Sequence, residues 1–167
     1  SIETVQVIGQ GTAAVAGQAI AAAIADALDG SGVVVEPITA TELSGFHLSD
    51  DMSNTLVVAV SQSGTTTDTN RTVDLVRSRG GSVIAIVNRR NSDLTDKADG
   101  VLYTSDGRDV EMSVASTKAF YAQIAAGFLL AVAVSDHIEQ AAIPDDERQS
   151  LLQSLRSMPD AMVRTIA

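Results

Sequence analysis

The chain has no cysteine among its 167 residues, so disulfides and thiolate metal sites are excluded. Only two histidines are present, His47 and His137, and their separation of ninety positions argues against a histidine-based metal site. Basic residues are scarce as well. Eleven Lys and Arg stand against 21 Asp and Glu, for a formal charge of −10, and no basic patch offers a footing for nucleic acid. No signal-peptide pattern, repeat or low-complexity tract is visible. The one long uncharged apolar run, 119–134, is about four residues short of a typical membrane span. Lys118 and Asp136 flank it, and it is read as a buried core or interface helix. These absences predict a cytoplasmic domain with no membrane or nucleic-acid partner and no metal or other cofactor. A small anion is still compatible as a ligand, because backbone N–H groups and hydroxyls act locally whatever the net charge.

What is present is a globular composition, 45% hydrophobic and 19% charged, long enough to bury a real core. The chain opens Ser-Ile-Glu rather than Met and runs at once into a strand pattern, which is read as a piece cut from a longer protein. Short β-branched runs alternate with longer alanine-rich ones. Residues 5–8, 33–35, 56–60, 83–87 and 101–103 read as strands, the second stopped near Pro37. Helices are expected over 13–28, where Ile20, Ile24 and Leu28 share a face, and over 67–79, 114–135 and 146–166, the last kinked or split near Pro159. Continuous apolar strands between helices predict a parallel sheet covered on both faces. The expected fold is a three-layer αβα sandwich with a five-stranded parallel sheet, flavodoxin-like, with ligands at the carboxyl ends of the strands. The irregular stretches 39–54 and 104–113 are long enough to be functional.

Three segments carry chemistry. After the third strand comes Ser61-Gln62-Ser63-Gly64-Thr65-Thr66-Thr67, with five hydroxyls in seven residues and a glycine for a tight turn. A helix follows, offering unpaired N–H groups and the positive end of its dipole. This makes an anion cradle without a lysine or arginine. Each hydrogen bond to a charged group adds roughly 1.5–3 kcal/mol, enough in combination for micromolar to millimolar binding of a phosphate monoester. The alternative is a plain helix cap by Thr66 or Thr67. After the first strand, Gly9-Gln10-Gly11-Thr12-Ala13-Ala14 matches the dinucleotide fingerprint, and Glu36 could serve as its ribose-binding acid. Glu36 is 27 residues past Gly9, which is far, and this reading leaves the hydroxyl-rich loop unexplained. The third segment, Glu111-Met112-Ser113-Val114-Ala115-Ser116-Thr117-Lys118, gathers hydroxyls at a helix start, as either a cap or a second ligand-facing turn.

Ser-Gln-Ser-Gly-x-Thr-x-Asp-Thr, with Val-Ala-Ser-Thr-Lys-Ala-Phe about fifty residues later, resembles the SIS (sugar isomerase) domain. More narrowly, it resembles the first of the two SIS domains of glucosamine-6-phosphate synthases. The resemblance runs from about Val5 to Ser135 and divides the chain into a sugar-phosphate-binding domain, residues 1–144, and a closing helix, 145–167, that packs on it or leads to a second SIS domain. It implies that Ser61, Gln62, Ser63 and Thr66 bind the phosphate. It implies further that Gly11 and Thr12 contact the ligand, that the Val114 backbone and Ser116 face the sugar, and that Glu42 and Glu111 order loops. Two departures bear on the substrate: Ala13 replaces a family serine, and Thr65 a family glutamate. The resemblance also places the base glutamate and an essential lysine in the second SIS domain, and a histidine in the neighbouring subunit. His47 and Lys118 match neither role. The implied function is a sugar-phosphate-binding domain of an aminotransferase/isomerase that binds but does not turn over alone; the alternative is a non-catalytic sugar-phosphate sensor of a regulator. SIS domains usually pair, so a homodimer or a second SIS domain is expected against the 119–134 helix and against Leu151, Leu155, Met158 and Met162.

Overall fold

The computed structural model describes residues 1–105, 117–138 and 143–166. Five strands form one sheet: β1 (Thr4–Gly9), β2 (Val34–Thr39), β3 (Thr55–Ser61), β4 (Ser82–Val87) and β5 (Gly100–Tyr103). Every pairing is parallel, in the order β2-β1-β3-β4-β5. This is the doubly wound, flavodoxin-like order, whose direction reverses between β1 and β3.

Alternation along the central strands sends side chains into two separate cores. Val5, Val7, Val58, Val60 and Ile86 pack beneath α1 (Thr12–Ala27) and α5 (Thr117–Ser135), with Ile20, Ile24, Ala126 and Leu130. Ile8, Val57, Ala59, Val83 and Ala85 pack on the other face beneath α3 (Thr67–Ser78), with Val73, Val76 and Leu94. Each fully buried aliphatic side chain contributes about 1.5–3 kcal/mol, so continuous apolar strands are the economical solution for a sheet covered on both faces. α1 and α5 approach closely at Gly127, where a Cβ would lie 2.3 Å from Ile20 Cγ1. α5 is the one described helix long and apolar enough to cross a membrane by length and composition. One side of it packs on α1, and Tyr121, Phe128 and Leu129 remain exposed.

Three expectations are corrected, and one helix is added. β2 does not stop at Pro37 but runs through it to Thr39, pairing Pro37 with Val7. It is an edge strand, where a residue without an N–H is tolerated. The 39–54 stretch is not all irregular: α2 (Ala40–Glu42) leads into a π-helical turn, Leu43–His47. A short helix missed by periodicity, α4 (Asp93–Lys97), begins where the Ser92 N–H donates to Thr95 Oγ1 at 3.0 Å. α6 (Asp145–Ile166) is not split near Pro159 but continues through it as one helix.

α6 buries none of its residues. Arg148 pairs with Asp136, and Leu151, Leu152, Leu155 and Met158 line a hollow with Phe128 and Val132 of α5. On the α3 side, Asp99 ties the elements together. Its carboxylate accepts from Arg77 Nη1 at 2.6 Å and from the Val83 N–H at 2.8 Å. The Arg77 guanidinium first, and the Val83 amide second, hold its pKa below the usual carboxylate value.

Candidate functional site

β1 and β3 are adjacent, with Ile8 opposite Ala59 in register, so the turns that follow them stand side by side at the point where strand order reverses. Their chain direction then diverges, β1 feeding α1 on one face and β3 feeding α3 on the other. A crevice at this end of the sheet is dictated by topology before any side chain is considered.

The β3–α3 turn is tightly framed. The Ser61 hydroxyl is buried and accepts the Gly64 N–H at 3.0 Å. The Gly64 backbone is left-handed, with φ of 66°, and a Cβ there would fall 2.0 Å from Ser92 Oγ, so conformation and packing both demand glycine. Asn70, one turn inside α3, donates from Nδ2 to the carbonyls of Gly64 (3.0 Å) and Thr66 (3.1 Å). The Gly64 carbonyl also accepts the Leu94 N–H at 3.1 Å, and the Gln62 carbonyl accepts the N–H groups of Asn88 and Arg89, each at 3.2 Å. The carbonyls of Gln62, Gly64 and Thr66 are thus all engaged by donors from neighbouring residues. Among the described residues, no acceptor meets the N–H of Ser63 or Thr66. Ser63 Oγ accepts from the N–H (3.3 Å) and the hydroxyl (3.0 Å) of Thr65 and keeps its own proton to donate.

Thr66 occupies the N-cap of α3, yet its hydroxyl makes no cap hydrogen bond. The plain-cap alternative therefore fails for Thr66, the residue in the cap position. Ser61, Gln62, Ser63 and Thr66 are brought together in this turn. Gly11 and Thr12 lie across the junction, at the exposed start of α1, where Gly11 has φ of 59° and no side chain caps the helix. Val114, Ser116 and Glu111 lie outside the described residues. Glu42 is exposed and 3.9 Å from His47 Nε2.

The dinucleotide reading of the β1 turn loses its acid. Glu36 is not at the end of β2 but inside it, opposite Gln6, whose Nε2 donates to Glu36 Oε1 at 3.1 Å. It sits three residues short of Thr39, which pairs with Gly9 at the ligand-facing end. Gly9 is required for a different reason: a Cβ there would lie 2.7 Å from the Ala13 carbonyl carbon.

Sequence reasoning missed Asn70 and the Arg89-Arg90 pair. Asn70 was discoverable, since it shares the buried i, i+3, i+6 face of α3 with Val73 and Val76. The arginines acquire meaning only once β4 is placed beside β3.

The fold and the turn define a doubly wound domain with a hydroxyl- and amide-lined turn at its strand-order reversal. A family model for the SIS domain matches residues 1–133, and the chain belongs to that family. It is 40% identical over 99% of its length to the glutamine–fructose-6-phosphate aminotransferase (isomerizing) of Corynebacterium glutamicum, and 39% identical over 78% of its length to that of Mycobacterium tuberculosis. It spans 25% and 21% of those relatives, respectively, so about a quarter of their length or less. Among solved structures, the C-terminal domain of glucosamine-fructose-6-phosphate aminotransferase from Francisella tularensis matches with a TM-score of 0.75 at 25% identity, covering 91% of this chain and 41% of that one. Glucosamine-6-phosphate deaminase from Thermotoga maritima shares the fold, with a TM-score of 0.68 at 21% identity over 80% of this chain and 40% of that one.

Proposed function

We propose that the chain binds a sugar phosphate, and that the phosphate sits in the β3–α3 turn on Ser61, Gln62, Ser63 and Thr66. The observation that supports this reading is the set of N–H and O–H groups at Ser63 and Thr66 that meet no acceptor among the described residues, in a turn whose Gln62, Gly64 and Thr66 carbonyls are already engaged. The chemistry asks for an acceptor-rich, negatively charged group, and a phosphate monoester fits it. Gly11 and Thr12 contact the sugar from across the junction, and Val114 and Ser116 complete the set from the segment before α5.

The domain works within a longer aminotransferase/isomerase of the glucosamine-6-phosphate synthase type, a reading supported by the relatives named above. That protein acts in the cytoplasm. The regulator alternative finds no support among them. The turn binds and orients, while the base for proton transfer at the sugar carbons comes from the second SIS domain of the longer protein. The outer faces of α5 and α6, with Phe128, Leu129, Met158 and Met162 exposed, pair with a second SIS domain or a second copy of the chain.

Calorimetric titration with fructose 6-phosphate and with free fructose tests the reading. Heat is expected from the phosphorylated sugar only. Equal binding of both, or of neither at millimolar concentration, would overturn it.

A further inference from the structure

A serine hydroxyl carries one proton and two lone pairs, and a free one can offer either to a ligand. In the β3–α3 turn that choice is removed at Ser63, and the residue that removes it is Thr65.

The cause begins at the peptide unit joining Gly64 to Thr65. Its carbonyl is held by Asn70 Nδ2 at 3.0 Å and by the Leu94 N–H at 3.1 Å. In a planar trans peptide the N–H is directed opposite to the C=O. Clamping the Gly64 carbonyl therefore aims the Thr65 N–H the other way, and there it meets Ser63 Oγ at 3.3 Å. The left-handed φ of 66° at Gly64 makes the reversal that brings Thr65 back to Ser63. The Thr65 hydroxyl donates to the same oxygen at 3.0 Å. Two donors of one residue thus occupy both lone pairs of Ser63 Oγ. What Ser63 has left is its proton, directed away from Thr65, and among the described residues that proton meets no acceptor.

Thr65 is exposed and belongs to neither core, so packing does not account for it. Its single hydroxyl proton goes to Ser63. A hydroxyl that receives hydrogen bonds is polarised by them and donates more strongly in its turn. Thr65 is also one of the two positions at which the sequence departs from the SIS pattern, so this relay is a property of the present chain.

From this geometry we infer that Thr65 is a positioning residue for the sugar phosphate: it acts through Ser63, committing that hydroxyl to donate, and does not itself touch the ligand. The inference rests on the reading of the β3–α3 turn as the phosphate position. At Ser63 the site then favours a group that only accepts, such as a phosphate dianion.

The test is a double-mutant cycle on fructose 6-phosphate affinity, using the 167-residue chain, Thr65→Val, Ser63→Ala and the double variant. Nitrogen–proton NMR titration reads the affinities, since it reaches the weak binding expected without Ser63. Thr65→Val keeps the branched shape and removes the hydroxyl. It is expected to weaken binding by about three- to tenfold, the scale of one neutral hydrogen bond. In the Ser63→Ala background the same substitution is expected to change affinity by less than about twofold, because its route to the ligand is gone. Thr65→Ser restores the hydroxyl and is expected to restore the affinity. Thermal melts show whether the variants are folded, and Thr65→Ala takes the place of Thr65→Val if the latter is not. Wild-type affinity in Thr65→Val, an equal loss with and without Ser63, or a Thr65→Ser as weak as Thr65→Val overturns the inference and leaves Ser63-dependent phosphate binding standing. Absence of binding by the wild type, or binding that ignores Ser63→Ala, overturns the phosphate-turn reading and the inference with it.

Discussion

The turn after β1 and the turn after β3 stand side by side at the ends of paired strands, and each feeds a helix whose first residue is a threonine. Both contain a glycine with left-handed φ. Beyond that they diverge. A Cβ added at Gly11 would meet nothing within 4 Å, and the Gln10 side chain, among the described residues, reaches only Thr41, at 3.4 Å. Around Gly64 the backbone is gripped by Ser61, Asn70, Leu94 and Ser92. The glycines of the first turn let a helix start close to its strand. The glycine of the second belongs to a frame that engages the turn's carbonyls and leaves the N–H groups of Ser63 and Thr66 without an acceptor among the described residues. A glycine-rich turn is therefore weak testimony for a ligand, and a turn whose carbonyls are engaged elsewhere is much stronger.

Paired substitutions break or sharpen this contrast. Gly64→Ala combines left-handed strain with a clash on Ser92, and is expected to destabilise by about 2–4 kcal/mol and to abolish sugar-phosphate binding. Gly11→Ala meets open space and carries only the backbone term, about 1–3 kcal/mol. Urea denaturation compares the two, and an equal loss would mean that packing of Gly64 on Ser92 contributes nothing. Next in size, Ser63→Ala removes one donor to a charged ligand and should weaken fructose 6-phosphate binding by roughly 10- to 100-fold with stability unchanged within about 0.5 kcal/mol, read by calorimetry and denaturation together. Thr12→Ala, across the junction, should weaken binding by only about two- to fivefold, the scale of a neutral hydrogen bond. A larger loss at Thr12 than at Ser63 would reverse the ranking of the two turns.

The smallest effect lies outside the crevice. Asp99 is half-exposed, and its pKa is lowered by Arg77 and the Val83 amide. A lowered folded-state pKa means that its stabilisation is complete above the unfolded value of about 3.9 and is lost as pH falls through the folded value below it. Asp99→Asn should therefore cost about 1 kcal/mol or less at pH 7, with the deficit shrinking toward pH 2, as urea midpoints at both pH values would show.

Much of this was legible in the residues themselves. The central strands could be read because burial on both faces forces unbroken apolar runs such as Leu56–Val60, and the β3–α3 turn because five hydroxyls beside one glycine have few other uses. Pro37 misled, since a missing N–H ends a central strand but not an edge one, and edge position is a property of the whole sheet. Glu36 was misplaced for the same reason, its height along β2 being set by register with β1. Five-residue α4 is too short for periodicity to register. Arg89 and Arg90 belong to no motif or periodic pattern, and their place beside the β3–α3 turn follows only from the order of β3 and β4 in the sheet.

The central claim is that the phosphate lies in the β3–α3 turn and not in the glycine-rich turn after β1. Amide chemical-shift mapping by two-dimensional nitrogen–proton NMR during titration with fructose 6-phosphate tests it most directly. The account predicts that the largest shifts fall on the N–H groups of Ser63 and Thr66, with smaller ones at Gly11 and Thr12. Shifts concentrated at residues 9–14, with Ser63 and Thr66 unmoved, would contradict it.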